Sequence, residues 1–464
     1  MATDSSSTLP EGIFSLLDTD LYKLTMQCCI LKYFPEISVT YSFTNRTPEK
    51  QLNRAAFHWL QTQVAKLENI SLSAEELHFL KTTCTYLNDE YLRFLSTFRL
   101  QPSKQLKLIF TPTEDTGKDT DLGDFRIHTE GLWIETILYE IPLLALISEA
   151  YFKFCDKDWS YAGQVDKAYQ KGVKLLEEGC IFSEFGTRRR RDYHTQDLVV
   201  QGLRRAQDEA TQKGWKGKLT GTSNVHFAMK HELVPIGTVA HEWFMGVAAI
   251  TNDYEHANEI ALEHWTATFG EGVLGIALTD TFGTPAFLRA FKNELPEGKA
   301  GSTSRKTYAQ VFAGVRQDSG DPLDFIKMMR EFYDKEGIKD KKTIVFSDSL
   351  NLDLCFKYKA AAEAQGFQPT FGVGTFLTND FVQETTGKKS TPLNIVIKIA
   401  SASGRYAVKI SDNIGKNTGD KSTVEEVKQR LGYQEKSWEG GDEKTRWGAA
   451  GQPATATSAS GGVQ

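Results

Sequence analysis

Val234-Pro-Ile-Gly-Thr-Val-Ala-His-Glu-Trp-Phe244 is the stretch from which the rest of the chain can be read. Pro235 to Ala240 is short, apolar and bounded by turn residues, the pattern of a buried strand. His241 follows where that strand should end, with Glu242 beside it. Functional side chains of α/β barrels gather at the C-terminal ends of the strands, so a histidine there suits a chemical role. A lone histidine of this kind is more often a core residue bonded to backbone, and its neighbours must decide.

Similar apolar runs recur outward from this stretch: Cys180-Ile-Phe-Ser, Lys218-Leu-Thr-Gly, Leu274-Gly-Ile-Ala-Leu-Thr, Ala313-Gly-Val-Arg, Thr343-Ile-Val-Phe-Ser and Thr370-Phe-Gly-Val-Gly. Helical patterns separate most of them, at intervals near the roughly 30 residues of a βαβ unit. The alternation implies a parallel sheet, and this many units predicts an α/β fold with a closed, TIM-like barrel over 131–389.

Upstream, residues 13–130 read as an α+β domain. Gly12 to Tyr33 predicts an opening helix carrying Asp18, Asp20 and Tyr22. Ile37, Val39, Tyr41 and Phe43 alternate with polar residues as a half-buried strand does. Helices are expected over 49–67 and after the cap-like Ser73-Ala-Glu-Glu, and strands over 106–110 and 124–127. Leu132 to Ile147 is too short and too charged to span a bilayer and predicts a buried helix. Asn394-Ile-Val-Ile-Lys-Ile and Tyr406-Ala-Val-Lys-Ile predict a hairpin, so that about 390–438 completes the first domain. Residues 1–12 and 440–464 predict disordered ends.

Composition narrows the function. A chain of 464 residues exceeds one ordinary domain, and 40% hydrophobic with 25% charged content is that of a soluble globular protein. The net charge of −6 argues against a general nucleic-acid binder. Six scattered cysteines without a CxxC pair fit reduced thiols in a cytoplasmic or nuclear setting. The polar start lacks the layout of a signal peptide.

The predicted strand ends form one constellation: Glu184-Phe-Gly-Thr-Arg-Arg-Arg-Arg, Gly221-Thr-Ser-Asn, His241-Glu242, Asp280-Thr-Phe-Gly, Arg316-Gln-Asp-Ser-Gly-Asp-Pro, Ser347-Asp-Ser and Gly372-Val-Gly-Thr. Arginines, carboxylates, a histidine and glycine turns at one rim can hold a phosphorylated, magnesium-bound substrate. Gly372, Gly374 and Thr375 suit a backbone phosphate cradle, although Gly-x-Gly-Thr alone also describes a plain turn. Asp280 can cap a helix, and Asp318 to Asp321 can be an ordinary turn. Both can also bind magnesium.

Taken with Leu17-Asp-Thr-Asp-Leu-Tyr-Lys-Leu-Thr-Met, these motifs resemble those of the nicotinate phosphoribosyltransferase family, in order, from about 13 to about 435. The resemblance implies the irregular α/β barrel of type II phosphoribosyltransferases. It also implies transfer of phosphoribosyl from phosphoribosyl pyrophosphate to nicotinate, the first step of NAD salvage from nicotinate. ATP is then a co-substrate, Mg²⁺ is present, and a homodimer has the partner supplying the residue that matches Tyr22.

By the same resemblance, Tyr22 and Phe185 sandwich the pyridine, while Arg316, Thr238 and Ser223 fix the nicotinate end. Arg188, Arg189, Thr222, Ser319, Ser347, Asp348, Ser349, Gly372, Gly374 and Thr375 serve ribose and phosphates. His241, with Glu242, Asp280 and Asp318, accepts phosphate from ATP. Asp280 and Asp318 hold the magnesium.

Two rival readings follow. The nicotinamide phosphoribosyltransferases resemble this chain but carry an aspartate where it has Ser223. That carboxylate would repel nicotinate, so Ser223 favours the acid over the amide. A catalytically silent metabolite-binding barrel is the other rival, against which the full set of His241, Arg316 and Asp318 argues. No nucleic-acid or membrane partner is expected.

Overall fold

The strands in chain order are β1 (Ser38–Asn45), β2 (Leu52–Asn53), β3 (Leu106–Pro112), β4 (Leu122–Leu132), β5 (Ile181–Glu184), β6 (Lys218–Thr222), β7 (Ile276–Leu278), β8 (Gly314–Gln317), β9 (Thr343–Phe346), β10 (Gln368–Val373), β11 (Phe381–Val382), β12 (Lys389–Ser390), β13 (Ile395–Ala402) and β14 (Arg405–Tyr406). They come from a computed structural model that describes residues 9–296, 305–413 and 416–434.

The apolar runs pair in parallel in the order β6-β5-β10-β9-β8-β7. Helices cover them, among them Gln164–Glu177, Tyr193–Lys213, Pro322–Lys335 and Leu352–Ala364. Phe182, Ile344, Phe346 and Phe371 are buried in the strands, and the Phe346 and Phe371 rings stack at 5.7 Å. Such apolar runs suit strands buried on both faces.

The stretch 235–240 departs from expectation, because it is not a strand of the ladder. It makes one parallel bridge, Thr222 with Pro235, and the Ile236 N–H donates to the Thr222 carbonyl at 2.8 Å. Further on, the Thr238 hydroxyl donates to the Ile276 carbonyl at 3.1 Å. The segment thus spans the gap between edge strands β6 and β7 without regular pairing. Proline has no N–H to donate there. The backbones also approach very closely, since a Cβ on Gly221 would lie 1.9 Å from the Val234 oxygen. The regular hydrogen-bonded ladder is therefore six-stranded, with 235–240 lying irregularly between its two edges.

The second sheet runs β14-β13-β1-β4-β2, with β3 also on β4, and joins N-terminal strands to the C-terminal hairpin. β1 is central: Tyr41 pairs with Ile399 on one side and Thr129 on the other. The hairpin is shorter than the sequence implies, since β14 pairs only through Tyr406 and Arg405. The Ala407 N–H still donates to the Ala400 carbonyl at 2.9 Å; beyond it the chain leaves the sheet, and the Ile410 N–H donates to the Thr281 carbonyl at 2.8 Å, at the rim of the parallel sheet.

Two helices also differ from expectation. The first is Leu21–Tyr33, so Asp18 and Asp20 precede it, their carboxylates bonded to other loops. The apolar run from Leu132 is cut into Trp133–Thr136, a 3₁₀ turn and Glu140–Phe154. Pro142 is tolerated because it falls in the first turn of the last piece. The capping box at Ser73 and Glu76 forms as its sequence predicts. The floppy ends expected for 1–12 and 440–464 lie outside the described residues, apart from 9–12.

Candidate active site

His241 is the first residue of the helix His241–Thr251. Its Nδ1 lies 3.0 Å from the Thr281 hydroxyl. Its Nε2 lies 3.0 Å from Asp318 Oδ2 and 2.8 Å from Lys409 Nζ. Burial, and then the Lys409 ammonium, push the His241 pKa down to about 4, so the ring is neutral at pH 7. Burial alone would raise the Asp318 carboxyl, but Arg316 and His241 hold it well below the usual carboxylate range. Arg316 Nη2 donates to Asp318 Oδ1 at 2.7 Å, and Ser347 donates to the same oxygen at 2.8 Å.

Asp280 lies behind this pair and is buried. Its Oδ2 is 3.3 Å from Lys409 and accepts from Ser319, whose own hydroxyl accepts from Ser411 at 2.8 Å. Burial opposes ionisation of Asp280, but Lys409 and His241 lower its pKa.

These groups open onto a cavity between the parallel sheet and β13. Arg46, Arg188, Arg189, Arg316, Lys398, Lys409 and Lys416 line it, against Glu140, Glu242, Asp318 and Asp348. The excess of cations fits an anionic, several-phosphate ligand. Burial, then Lys409 and Arg46, push Lys398 down to about 7.

The four-arginine run divides in two. Arg188 and Arg189 reach the cavity. Arg190 is buried in a bidentate pair with Asp18, at 2.8 and 2.7 Å. Arg191 is also buried, its guanidinium 3.7 Å from the Phe152 ring centre.

Tyr22, Phe185, Ser347, Asp348, Ser349, Gly372, Gly374 and Thr375 line the same cavity. Tyr22 does so from its own chain, at the start of the first helix. Gly372 is required by packing: a Cβ there would lie 2.4 Å from the Phe185 ring.

Other expected residues stand off the wall because protein partners hold their polar atoms. Thr222 donates to Glu184 at 2.6 Å and Ser223 to Asp20 at 2.8 Å, while Thr238 is turned to Ile276. Direct contact of Ser223 with a base is therefore not how this arrangement would choose nicotinate. Asp280 and Ser319 stand behind the wall, Asp280 against Lys409 and Ser319 against Asp280. Glu242 lines the cavity but is not free for chemistry, since Tyr41 donates to it at 2.6 Å, Trp133 at 2.9 Å, and Lys23 also donates. It anchors the start of the histidine's helix.

His241, Asp280 and Asp318 are the one group among the described residues with metal-ligand atoms within 4.8 Å of one another. Lys409 already supplies positive charge at that spot, and Asp318 spends one oxygen on Arg316 and Ser347. A magnesium held by these two aspartates therefore does not fit. The residues missing from the sequence reading are Lys409, Lys416, Lys398, Arg46 and Glu140. For Lys409 the signal was a lysine inside a buried run, Ala407-Val-Lys-Ile410, where every residue is buried.

The sequence model of the nicotinate phosphoribosyltransferase family matches residues 180–435, and that of its N-terminal domain matches 17–148. The chain belongs to this family. A probable nicotinate phosphoribosyltransferase of Schizosaccharomyces pombe is 47% identical over 90% of this chain and 98% of its own length. The Saccharomyces cerevisiae nicotinate phosphoribosyltransferase is 46% identical over 94% and 99%. A crystal structure of a putative nicotinate phosphoribosyltransferase from Saccharomyces cerevisiae superposes with a TM-score of 0.85 at 44% identity, covering 92% of this chain and 99% of that one. A nicotinate phosphoribosyltransferase family fold with a mixed α/β parallel sheet is thus established for the chain. Among its described residues no helix is long and apolar enough to cross a membrane.

Proposed function

We propose that this chain is a nicotinate phosphoribosyltransferase whose turnover is driven by ATP through a phosphohistidine at His241. Family membership supports the glycosyl transfer. The observation that carries the ATP step is a neutral imidazole on a cationic cavity wall, at a helix N-terminus. A neutral imidazole nitrogen can attack the γ-phosphorus of ATP, forming a P–N bond as the P–O bond to ADP breaks. The added charge, about −2, lies beside Lys409 and Arg316 and at the positive end of the helix dipole.

In the glycosyl step the pyridine nitrogen of nicotinate bonds to ribose C1 as the C1–O bond to pyrophosphate breaks. The protein's task is to position the partners and stabilise charge. Tyr22 and Phe185 enclose the ring, and Arg316 offers a guanidinium to the carboxylate. Arg188, Arg189, Lys398 and Lys416 face the phosphates. Magnesium enters as part of the pyrophosphate-bearing substrate, and no protein site for it is needed. In this reading 235–240 completes the six-stranded sheet as an irregular barrel, and the protein works as a dimer in the cytoplasm.

The test is to incubate the protein with γ-labelled ATP and look for protein-bound phosphate that is acid-labile and stable to alkali. Label in the wild type and none in His241→Ala supports the proposal. Label that persists in the variant, or none in either protein, defeats the ATP step.

A further inference from the structure

The segments after β5 and β10 make one wall of the cavity, and a buried amide and a neighbouring hydroxyl fasten them together. β5 and β10 are parallel neighbours, with Val373 opposite Glu184. The chain beyond them therefore emerges side by side, as 185–191 and 374–380. Phe185, Gly186, Arg188 and Arg189 from the first and Gly374, Thr375 and Phe376 from the second line the cavity.

Asn379 is 1% exposed and lies off the cavity wall. Its Nδ2 donates to the Arg189 carbonyl at 2.8 Å, and its Oδ1 accepts from Arg191 Nε at 3.0 Å. Its backbone N–H donates to the Thr375 carbonyl at 2.9 Å. The neighbouring Thr378 hydroxyl donates to the Gly186 carbonyl at 2.9 Å. Both ends of one amide are thus used to grip the backbone on one side of Arg190 and the side chain on the other. An amide is suited to this because it donates and accepts at once, which neither a carboxylate nor a hydrocarbon can do.

We infer that Asn379 is a positioning residue that sets the spacing between the Arg188–Arg189 turn and the Gly374–Thr375 turn, and so the grip on phosphoribosyl pyrophosphate. It touches no substrate. The inference rests on reading the cavity as the phosphoribosyl pyrophosphate site. It predicts a selective defect, because the pyridine end is held by Tyr22, Phe185 and Arg316, of which only Phe185 belongs to the fastened turns.

Asn379→Ala removes both bonds. Asn379→Asp keeps size and the Arg191 contact but sets a carboxylate oxygen against the Arg189 carbonyl. For each, steady-state rates are measured over phosphoribosyl pyrophosphate and over nicotinate, with the thermal midpoint alongside. The expected result is a KM for phosphoribosyl pyrophosphate raised about tenfold, as losing a buried hydrogen bond implies. The nicotinate KM and kcat should stay within about twofold of wild type by the same scale. The Asp variant keeps the test open if the Ala variant does not fold. A KM for phosphoribosyl pyrophosphate unchanged in every folded variant would overturn the inference, as would equal rises in both KM values. A wild type that makes no mononucleotide would instead defeat the proposed function, which is a separate outcome.

Discussion

Gly372 illustrates how one atom decides a contact in this cavity. The Phe185 ring occupies the space a Cβ would take, 2.4 Å away. Gly372→Ala should push that ring off its seat and raise the KM for nicotinate by about tenfold, the effect of roughly 1.4 kcal/mol. An unchanged nicotinate KM in steady-state assays would mean that Phe185 does not hold the base.

Lys398 predicts a pH dependence. With a pKa near 7 it is about half protonated in the free protein at neutral pH. A bound polyanion favours the ammonium, so above pH 7 binding must take up a proton. The KM for phosphoribosyl pyrophosphate should then rise with pH, by up to about tenfold from pH 7.5 to 8.5, where a single proton is linked to binding. Lys398→Met should flatten that slope, and an unaltered slope would assign it to another group.

What the sequence shows at this scale depends on geometry. His241, Arg316 and Asp318 are legible because each follows an apolar run that ends at one rim. Glu242 misleads because neighbours on a helix point about 100° apart, which sends it towards Tyr41 and Trp133. Ser223 and Thr222 mislead because sequence gives a hydroxyl but not the side it faces.

At the scale of elements, the motifs at the strand ends prove to bolt one another in place. Asp18, ahead of the first helix, accepts from Arg190 in the segment after β5 and from Asn224 after β6 at 2.7 Å. Asp18→Ala would leave the fully buried Arg190 guanidinium without its carboxylate. It should lower stability by about 3–5 kcal/mol, the cost of breaking a buried pair from one side. A denaturant midpoint equal to wild type would show that the pair holds nothing. The strand–helix alternation was readable from apolar spacing for six strands. The seventh, 235–240, was not, since apolar composition cannot show that Pro235 and the close approach at Gly221 prevent pairing. Residues 407–410 read as a strand continuing β14, yet the contacts of Lys409 with Asp280 and His241 accompany the departure of 408–410 from β13.

Across the whole molecule, the site is assembled from distant parts of the chain. The first helix brings Tyr22, the helix His241–Thr251 brings His241, β8 and the turn after it bring Arg316 and Asp318, and the C-terminal segment brings Lys409 and Lys416. Sequence alone predicts two domains, but not that the C-terminal segment assigned to the first returns its lysines to the histidine of the second. Contacts some 168 positions apart, such as Lys409 with His241, leave no local pattern.

The most direct test is mononucleotide formation from phosphoribosyl pyrophosphate with magnesium, offering nicotinate or nicotinamide, with and without ATP, for the wild type and His241→Ala. The account predicts product from nicotinate, stimulated by ATP in the wild type and not in the variant. Preference for nicotinamide, or equal stimulation of the His241→Ala protein by ATP, would contradict it.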